Sequence, residues 1–459
     1  MTETASSFIA KSTIRSADLE HRRKINFNIG KYNAVVPVGK LQFTDVHLAR
    51  ERAKNTKWRA IEKLDQQLEE FERIFTKRGG KVIWAETGEQ ALEEIGKICK
   101  QKNCKTLVKS KSMVTEEIHL NDFLEKNNIE SIETDLGEYI QQLDGEPPYH
   151  IVTPAMHKSK EDVARVFAEK LGTSPHLTPE ELTMVARHKL REKFAEAEVG
   201  VTGANFIISD IGGIAITENE GNARLSCALP KTHIVVVGIE KMIPSLTDLG
   251  LFWPLLATYG TGQKVTVYNS IVSGPKQAGE SDGPEEMYVI LLDNGRTNLL
   301  SNAKAREALY CIRCGACLNA CPVYKNIGGH AYETTYSGPI GSVITPHLRD
   351  IANYKHLSNA SSLCGNCTEV CAVKINLHEL LLENRHEAVE AGIAPLSEKL
   401  AWRVWKTSSL NRKMMNMGNG KLKNRIVNKL FKGWTTHRSG LNFSQKTFNE
   451  MWLERQSKL

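Results

Sequence analysis

Seven of the ten cysteines fall between Cys311 and Cys371. Four of them read Cys311-x2-Cys314-x2-Cys317-x3-Cys321, with Pro322 next. This is the run by which bacterial ferredoxins hold iron–sulfur clusters. A short loop turns three thiolates onto one cube of iron and sulfide, while its backbone N–H groups can face the sulfurs. The fourth cysteine lies past the loop and points toward a second cluster. A second motif, Cys364-x2-Cys367-x3-Cys371, aligns on the first with Cys364 at Cys314, Cys367 at Cys317 and Cys371 at Cys321. Ser361 takes the place of Cys311, and Ala372 that of Pro322.

Crossed ligation assigns Cys311, Cys314, Cys317 and Cys371 to one [4Fe–4S] cluster. Cys321, Cys364 and Cys367 go to a second. The second set has three thiolates, which leaves a three-iron cluster, a non-cysteine ligand or an open iron. A Ser361 alkoxide is disfavoured because a hydroxyl ionises far less readily than a thiol. His356 is a substitute by ligand chemistry alone. Zinc is the competing reading, but zinc sites usually come as paired CxxC knuckles. Clusters that only hold the fold are another. Cys99, Cys104 and Cys227 read as packing residues.

These loops need a scaffold, and 459 residues suffice for about three domains. Charged residues at 25% and hydrophobic ones at 41% are ordinary for a soluble globular chain. They exclude global disorder, collagen-like repeats and a disulfide miniprotein. No stretch reaches 18 apolar residues, which argues against a transmembrane helix. The first residues, MTETASSFIAKS, do not read as a signal peptide. The expected compartment is the cytoplasm, where thiols stay reduced and ten cysteines point to metal.

Residues 1–44 show no clear periodicity and read as an extended arm. Residues 45–78 have helical spacing, with Trp58, Ile61, Leu64, Leu68, Phe71 and Ile74 on one face and Gly79-Gly80 as the stop. Strands at 82–85, 106–108, 131–133 and 150–152 then alternate with helices. Thr87 with Gln90, and Thr178 with Glu181, are capping-box patterns. Further strands are expected at 213–217, 233–238, 265–268 and 287–292. This order predicts an α/β domain whose parallel sheet has some antiparallel part. The expected organisation is an arm and helix at 1–60, an α/β domain at 61–300, a helical two-cluster ferredoxin-like module at 301–385 and a basic helical tail at 386–459.

Within the α/β domain, Lys109, Lys111 and Ser112 sit between a strand and a helix, a junction suited to a carboxylate or phosphate. Glu218, Glu220 and Arg224 follow another strand and are candidate catalytic groups, with a structural turn as the alternative. His150 and His157 read as satisfied histidines rather than bases. No G-x-G-x-x-G follows a strand, so a dinucleotide site for two-electron chemistry is not visible. From Trp402 onward the chain carries 13 Lys and Arg against two Glu, with Trp402, Trp405, Trp434 and Trp452 among them. Docking to an acidic subunit is the favoured reading. An anionic membrane surface, nucleic acid (disfavoured) and a solvated face with tryptophans packed inward are the others.

The segments Cys311 through Tyr324, Gly329-His330 through Gly341 and Ser361 through Cys371 resemble the lactate-utilization iron–sulfur family. Gly200 through Phe206 and Gly221 through Arg224 resemble its LUD domain. The resemblance covers nearly the whole chain. It implies a fold like that of ribose-5-phosphate isomerase and CoA transferases. Those transferases use a glutamate nucleophile, which makes Glu218 or Glu220 a candidate by analogy. It also implies the iron–sulfur member of a three-component system oxidising L-lactate to pyruvate. The partners would be a CCG-motif (LutA-like) protein and a second LUD-domain (LutC-like) protein. Three cysteines in the second motif fit the family, whereas Ala372 departs from it, since proline usually follows the last cysteine. Other readings are a carrier for glycolate or another 2-hydroxy acid, or a CoA-transferase-like or isomerase-like enzyme with structural clusters. Peripheral attachment at the inner membrane would suit electrons that end in quinone.

Overall fold

The computed structural model describes residues 2–430, 432–433, 435 and 439–458. They divide into two compact units, Met1–Ala391 and Gly392–Leu459.

The strands of the first unit are β1 (Lys81–Ala85), β2 (Thr106–Lys109), β3 (Glu130–Glu133), β4 (Val199–Thr202), β5 (Phe206–Ile208), β6 (Gly213–Glu218), β7 (Thr232–Gly238), β8 (Met242–Ile243), β9 (Tyr268–Val272) and β10 (Glu286–Leu292). Six of them pair in the order β1-β10-β7-β4-β2-β3, every pair parallel. A parallel sheet is covered on both faces, so its central strands are continuous apolar runs. β7, with Ile234 through Val237, is buried along its whole length. The close layering shows at Gly200 in β4, where a Cβ would stand 1.9 Å from the Ser226 carbonyl of the covering helix Asn222–Ala228.

The antiparallel part forms a second sheet of its own, ordered β8-β5-β6-β9. Its β5–β6 and β6–β9 pairs are antiparallel. The strand expected at 265–268 begins at Tyr268 instead. Residues 150–152 form no strand. There His150 Nδ1 accepts from the N–H groups of Val152 and Thr153, which supplies the partner a ladder would have given.

Residues 1–44 are not an extended arm. They hold the helices Glu3–Ala17 and Leu19–Lys40. Thr2 and Asp18 cap them by accepting from the N–H groups of Ala5 and His21. Ile25 and Ile29, one turn apart, anchor the second helix in the core. The helical pattern of 45–78 is divided into Val46–Glu62 and Leu64–Lys77, with a break at Lys63. Thr178 and Glu181 exchange reciprocal capping bonds.

The second unit is helical, with Leu396–Leu410, Arg412–Asn416, Gly420–Leu430 and Phe448–Gln456. Trp402, Trp405 and Trp452 are exposed by 60%, 61% and 47%, so these three do not pack inward. Trp434 lies outside the described residues. No helix among the described residues is long and apolar enough to cross a membrane.

Candidate metal centres and the adjoining cavity

Cys311 follows the turn Arg306–Tyr310, and Cys317 lies in the single-turn helix Ala316–Ala320. Between them Arg313 and Gly315 adopt φ of 59° and 79°, which curls the loop inward. Cys321 caps the helix Pro322–Ile327, its sulfur accepting from the Tyr324 N–H at 3.5 Å. The second loop repeats this backbone. Leu363 and Gly365 flank Cys364 with φ of 53° and 81°, and Cys367 lies in the helix Asn366–Glu369.

Cys311, Cys314, Cys317 and Cys371 line one cavity, closed by Ile151, Ile340 and Val373. Cys321, Cys364 and Cys367 line another, beside Ser361 and His378. His356 lines neither. Its Nδ1 lies 3.0 Å from the Asn353 carbonyl, and its ring packs against Phe8.

The spacing of the sulfurs tests which inorganic group fits. Tetrahedral zinc with Zn–S near 2.3 Å requires sulfurs about 3.8 Å apart. Among the described residues, no three cysteine sulfurs lie within 4.8 Å of one another. Zinc sites are therefore too small for these loops, and a bulkier iron–sulfide body suits them. The donors have the matching chemistry. Burial pushes the Cys314 and Cys371 thiols up to about 12, so they ionise only where bound iron compensates the charge. The Cys371 sulfur accepts from the Ile375 N–H at 3.3 Å.

A larger cavity of about 260 Å³ adjoins the first loop and reaches into the α/β domain. Cys314, Arg313 and Lys241 line it, as do Lys111, Ser112, Asp135, Glu218 and Glu220. Lys109 does not. Its buried ammonium sits 2.7 Å from Glu133 and 2.9 Å from Glu116. Burial alone would lower its pKa, but Glu116, Glu133 and Glu138 raise it. Glu218 accepts from the N–H groups of Ala223 and Arg224 at 2.7 and 2.9 Å, and so caps a helix. Glu220 likewise accepts from the Leu136 N–H at 3.0 Å. Partial burial and then Asp135 lift its carboxyl to about 7. Arg224 lies over the Tyr268 ring at 5.2 Å, outside the cavity lining.

The chain matches the LUD domain over residues 68–292 and the 4Fe-4S dicluster domain over residues 307–375. It is 48% identical to lactate utilization protein B of Bacillus velezensis over 80% of this chain and 78% of that one. With lactate utilization protein B of Bacillus subtilis the identity is 49%, over 78% and 75% of the two chains. The chain belongs to the lactate utilization protein B family. A solved DUF162 family protein from Deinococcus radiodurans aligns with 50% of this chain and 98% of its own, at 14% identity and a TM-score of 0.28.

As a family member with the dicluster domain, the chain carries two iron–sulfur clusters. Two residues that line the large cavity escaped the sequence reading. Lys241 ends a short turn just past β7, at the carboxyl edge of the parallel sheet where ligands of such folds bind. Arg313 is hidden inside the first cysteine motif. Its Nη2 lies 3.4 Å from Glu240, and its guanidinium covers the Tyr336 ring at 4.4 Å. His378, beside the second cysteine set, also went unread. Its Nδ1 lies 2.7 Å from Thr368 Oγ1.

Proposed function

We propose that this chain is the electron-carrying subunit of a system that oxidises L-lactate to pyruvate. The observation that carries the reading is the crossed arrangement of the cysteines. Cys371 of the second motif joins the cavity of the first, and Cys321 of the first joins that of the second. In this reading Cys311, Cys314, Cys317 and Cys371 hold one [4Fe–4S] cluster, and Cys321, Cys364 and Cys367 hold the other. Bound clusters supply one-electron acceptance and release.

The protein's own residues set the path. Cys317 lies in the one-turn helix Ala316–Ala320 and Cys321 directly follows it, so a single turn carries one ligand of each set. Cys317 and Cys371 are buried, whereas Cys364 is exposed. One end of the pair thus faces the α/β domain, and the other faces the surface where a partner could dock. The names of the relatives support the lactate system. The partners of this reading are a CCG-motif protein and a second LUD-domain protein. The exposed tryptophans and basic residues of the tail offer a surface for an acidic subunit.

Two measurements test it. Cells lacking the gene grow poorly on L-lactate and normally on another carbon source. L-lactate added to the anaerobically purified complex reduces this chain's clusters. Unimpaired growth, or clusters that stay oxidised, would refute the reading.

A further inference from the structure

Outside both cysteine cavities, His157 of the α/β domain meets His330 of the cysteine-bearing module. Their ring centroids are 5.0 Å apart at 67°. Glu146 completes the group. Among the described residues, this is the one set of three His, Cys, Asp or Glu donors whose ligand atoms all lie within 4.8 Å of one another. Tetrahedral zinc, with Zn–N and Zn–O near 2.0–2.1 Å, holds its ligands about 3.4 Å apart. The longest gap therefore closes with a shift of at most about 1.4 Å.

The hydrogen bonds leave a lone pair on each ring. His330 Nε2 lies 2.8 Å from the Pro147 carbonyl, which only accepts, so Nε2 carries the hydrogen and Nδ1 the lone pair. His157 Nε2 lies 3.0 Å from Glu146 Oε2 in the same way, and its Nδ1 is buried without a partner. A ring N–H fixed on a carbonyl or carboxylate is how metal-binding histidines are usually held. A buried acceptor without a partner is costly, and it points to a ligand.

The surrounding charges suit a cation. Lys158 pairs with Asp144 and, at 2.8 Å, with Glu146 Oε2. Arg15, the other cation whose charge reaches both histidines, pairs with Asp18 at 3.3 Å. His21, the third imidazole nearby, is pushed down to about 4 by burial and stays neutral. Three carboxylates against two cations leave one negative charge.

We propose that Glu146, His157 and His330 bind a divalent transition-metal ion of the zinc class. Two imidazoles and one carboxylate select such an ion over calcium or magnesium, which prefer all-oxygen shells. Three protein donors leave one coordination position open to water. His330 and Pro147 also line a cavity of about 540 Å³, which gives the ion a path from solvent. Bound there, the ion staples the turn after Cys321 to the α/β domain. The proposal stands whether or not the clusters carry electrons from lactate.

The test uses the anaerobically purified, cluster-loaded full chain, dialysed against a mild chelator and checked for intact visible absorption. Zn²⁺ is then titrated in by calorimetry. The expected result is one zinc per chain, with iron content and visible absorption unchanged. Zinc-edge X-ray absorption shows nitrogen and oxygen neighbours near 2.0–2.1 Å and no sulfur near 2.3 Å. Glu146→Gln and His330→Gln each lower the affinity at least about tenfold. Should a variant lose its clusters, the X-ray absorption of the wild type decides. The proposal is overturned if zinc does not bind, if sulfur appears in its shell, or if a variant that keeps its clusters binds zinc as the wild type does. A chain that binds zinc in a nitrogen and oxygen shell, but whose clusters the complete complex does not reduce, refutes the electron-carrier reading alone.

Discussion

Ser361 stands where Cys311 stands, in backbone as well as in sequence. The N–H of Leu363 donates to Ser361 Oγ at 3.1 Å, as that of Arg313 donates to Cys311 Sγ at 3.4 Å. The two loops differ at this point in the donor atom rather than in their path. Ser361→Cys is therefore expected to place a fourth thiolate at the second set without rebuilding the loop. Mild oxidation should convert the wild-type second cluster to a three-iron form visible by EPR, and the variant should resist this conversion. Identical oxidation behaviour in the two proteins would contradict the expectation.

Arg50 ties the helix Val46–Glu62 to the second loop. Its Nε donates to the Cys371 carbonyl at 3.0 Å and its Nη2 to that of Glu369 at 2.6 Å. Hydrogen bonds from a charged donor contribute about 1.5–3 kcal/mol, and here they fix the residue that crosses to the first set. In Arg50→Met, iron should be lost first from the Cys311 set. Iron and sulfide analysis with EPR after timed chelator exposure would show it.

Arg296 is almost fully buried and is held between Glu117 and Glu240. Replacing it by Met leaves Glu117 without its cation and Glu240 with only the longer contact to Arg313 at 3.4 Å. Such losses cost about 3–5 kcal/mol. Arg296→Met should unfold at markedly lower denaturant concentration, and Lys should restore little because it cannot reproduce the fork to Glu117.

His150 and His233 are buried and held neutral, with burial pushing both down to about 3. The unfolded chain takes up a proton near pH 6.5, and the folded chain does not. Stability therefore rises with pH between about 3 and 6.5 and is lost as pH falls through that window. Each histidine contributes up to roughly 1.4 kcal/mol per pH unit there. His233 lies far along the sequence from the cysteine motifs, next to Thr202 Oγ1 at 2.9 Å. His233→Gln should flatten the acid limb in denaturation curves taken from pH 4.5 to 7.

The buried parallel strands were legible because burial on both faces forces continuous apolar runs such as Ile234 through Val237. The two cluster-binding motifs were legible because metal ligation fixes the spacing of cysteines. The helices of residues 3–40 were not. Their helicity rests on caps at Thr2 and Asp18 and on a few anchors such as Ile25, too sparse to mark a periodic face. Lys241 could not be read because a lysine is ordinarily solvated, and only the packing of the turn after β7 buries this one. Glu218 and Glu220 were candidates by residue type and analogy, beside the reading as a structural turn, and each carboxylate accepts from backbone N–H groups as a turn requires.

The unequal shielding of the two cysteine sets has a practical corollary. Cys364 of the second set is open to solvent, whereas in the first set Cys311 and Cys314 are half-buried and Cys317 and Cys371 buried. Dioxygen diffusing in from outside meets the second loop before it reaches the first. Purified material left in air should bleach in two stages, the outer centre decaying before the inner one.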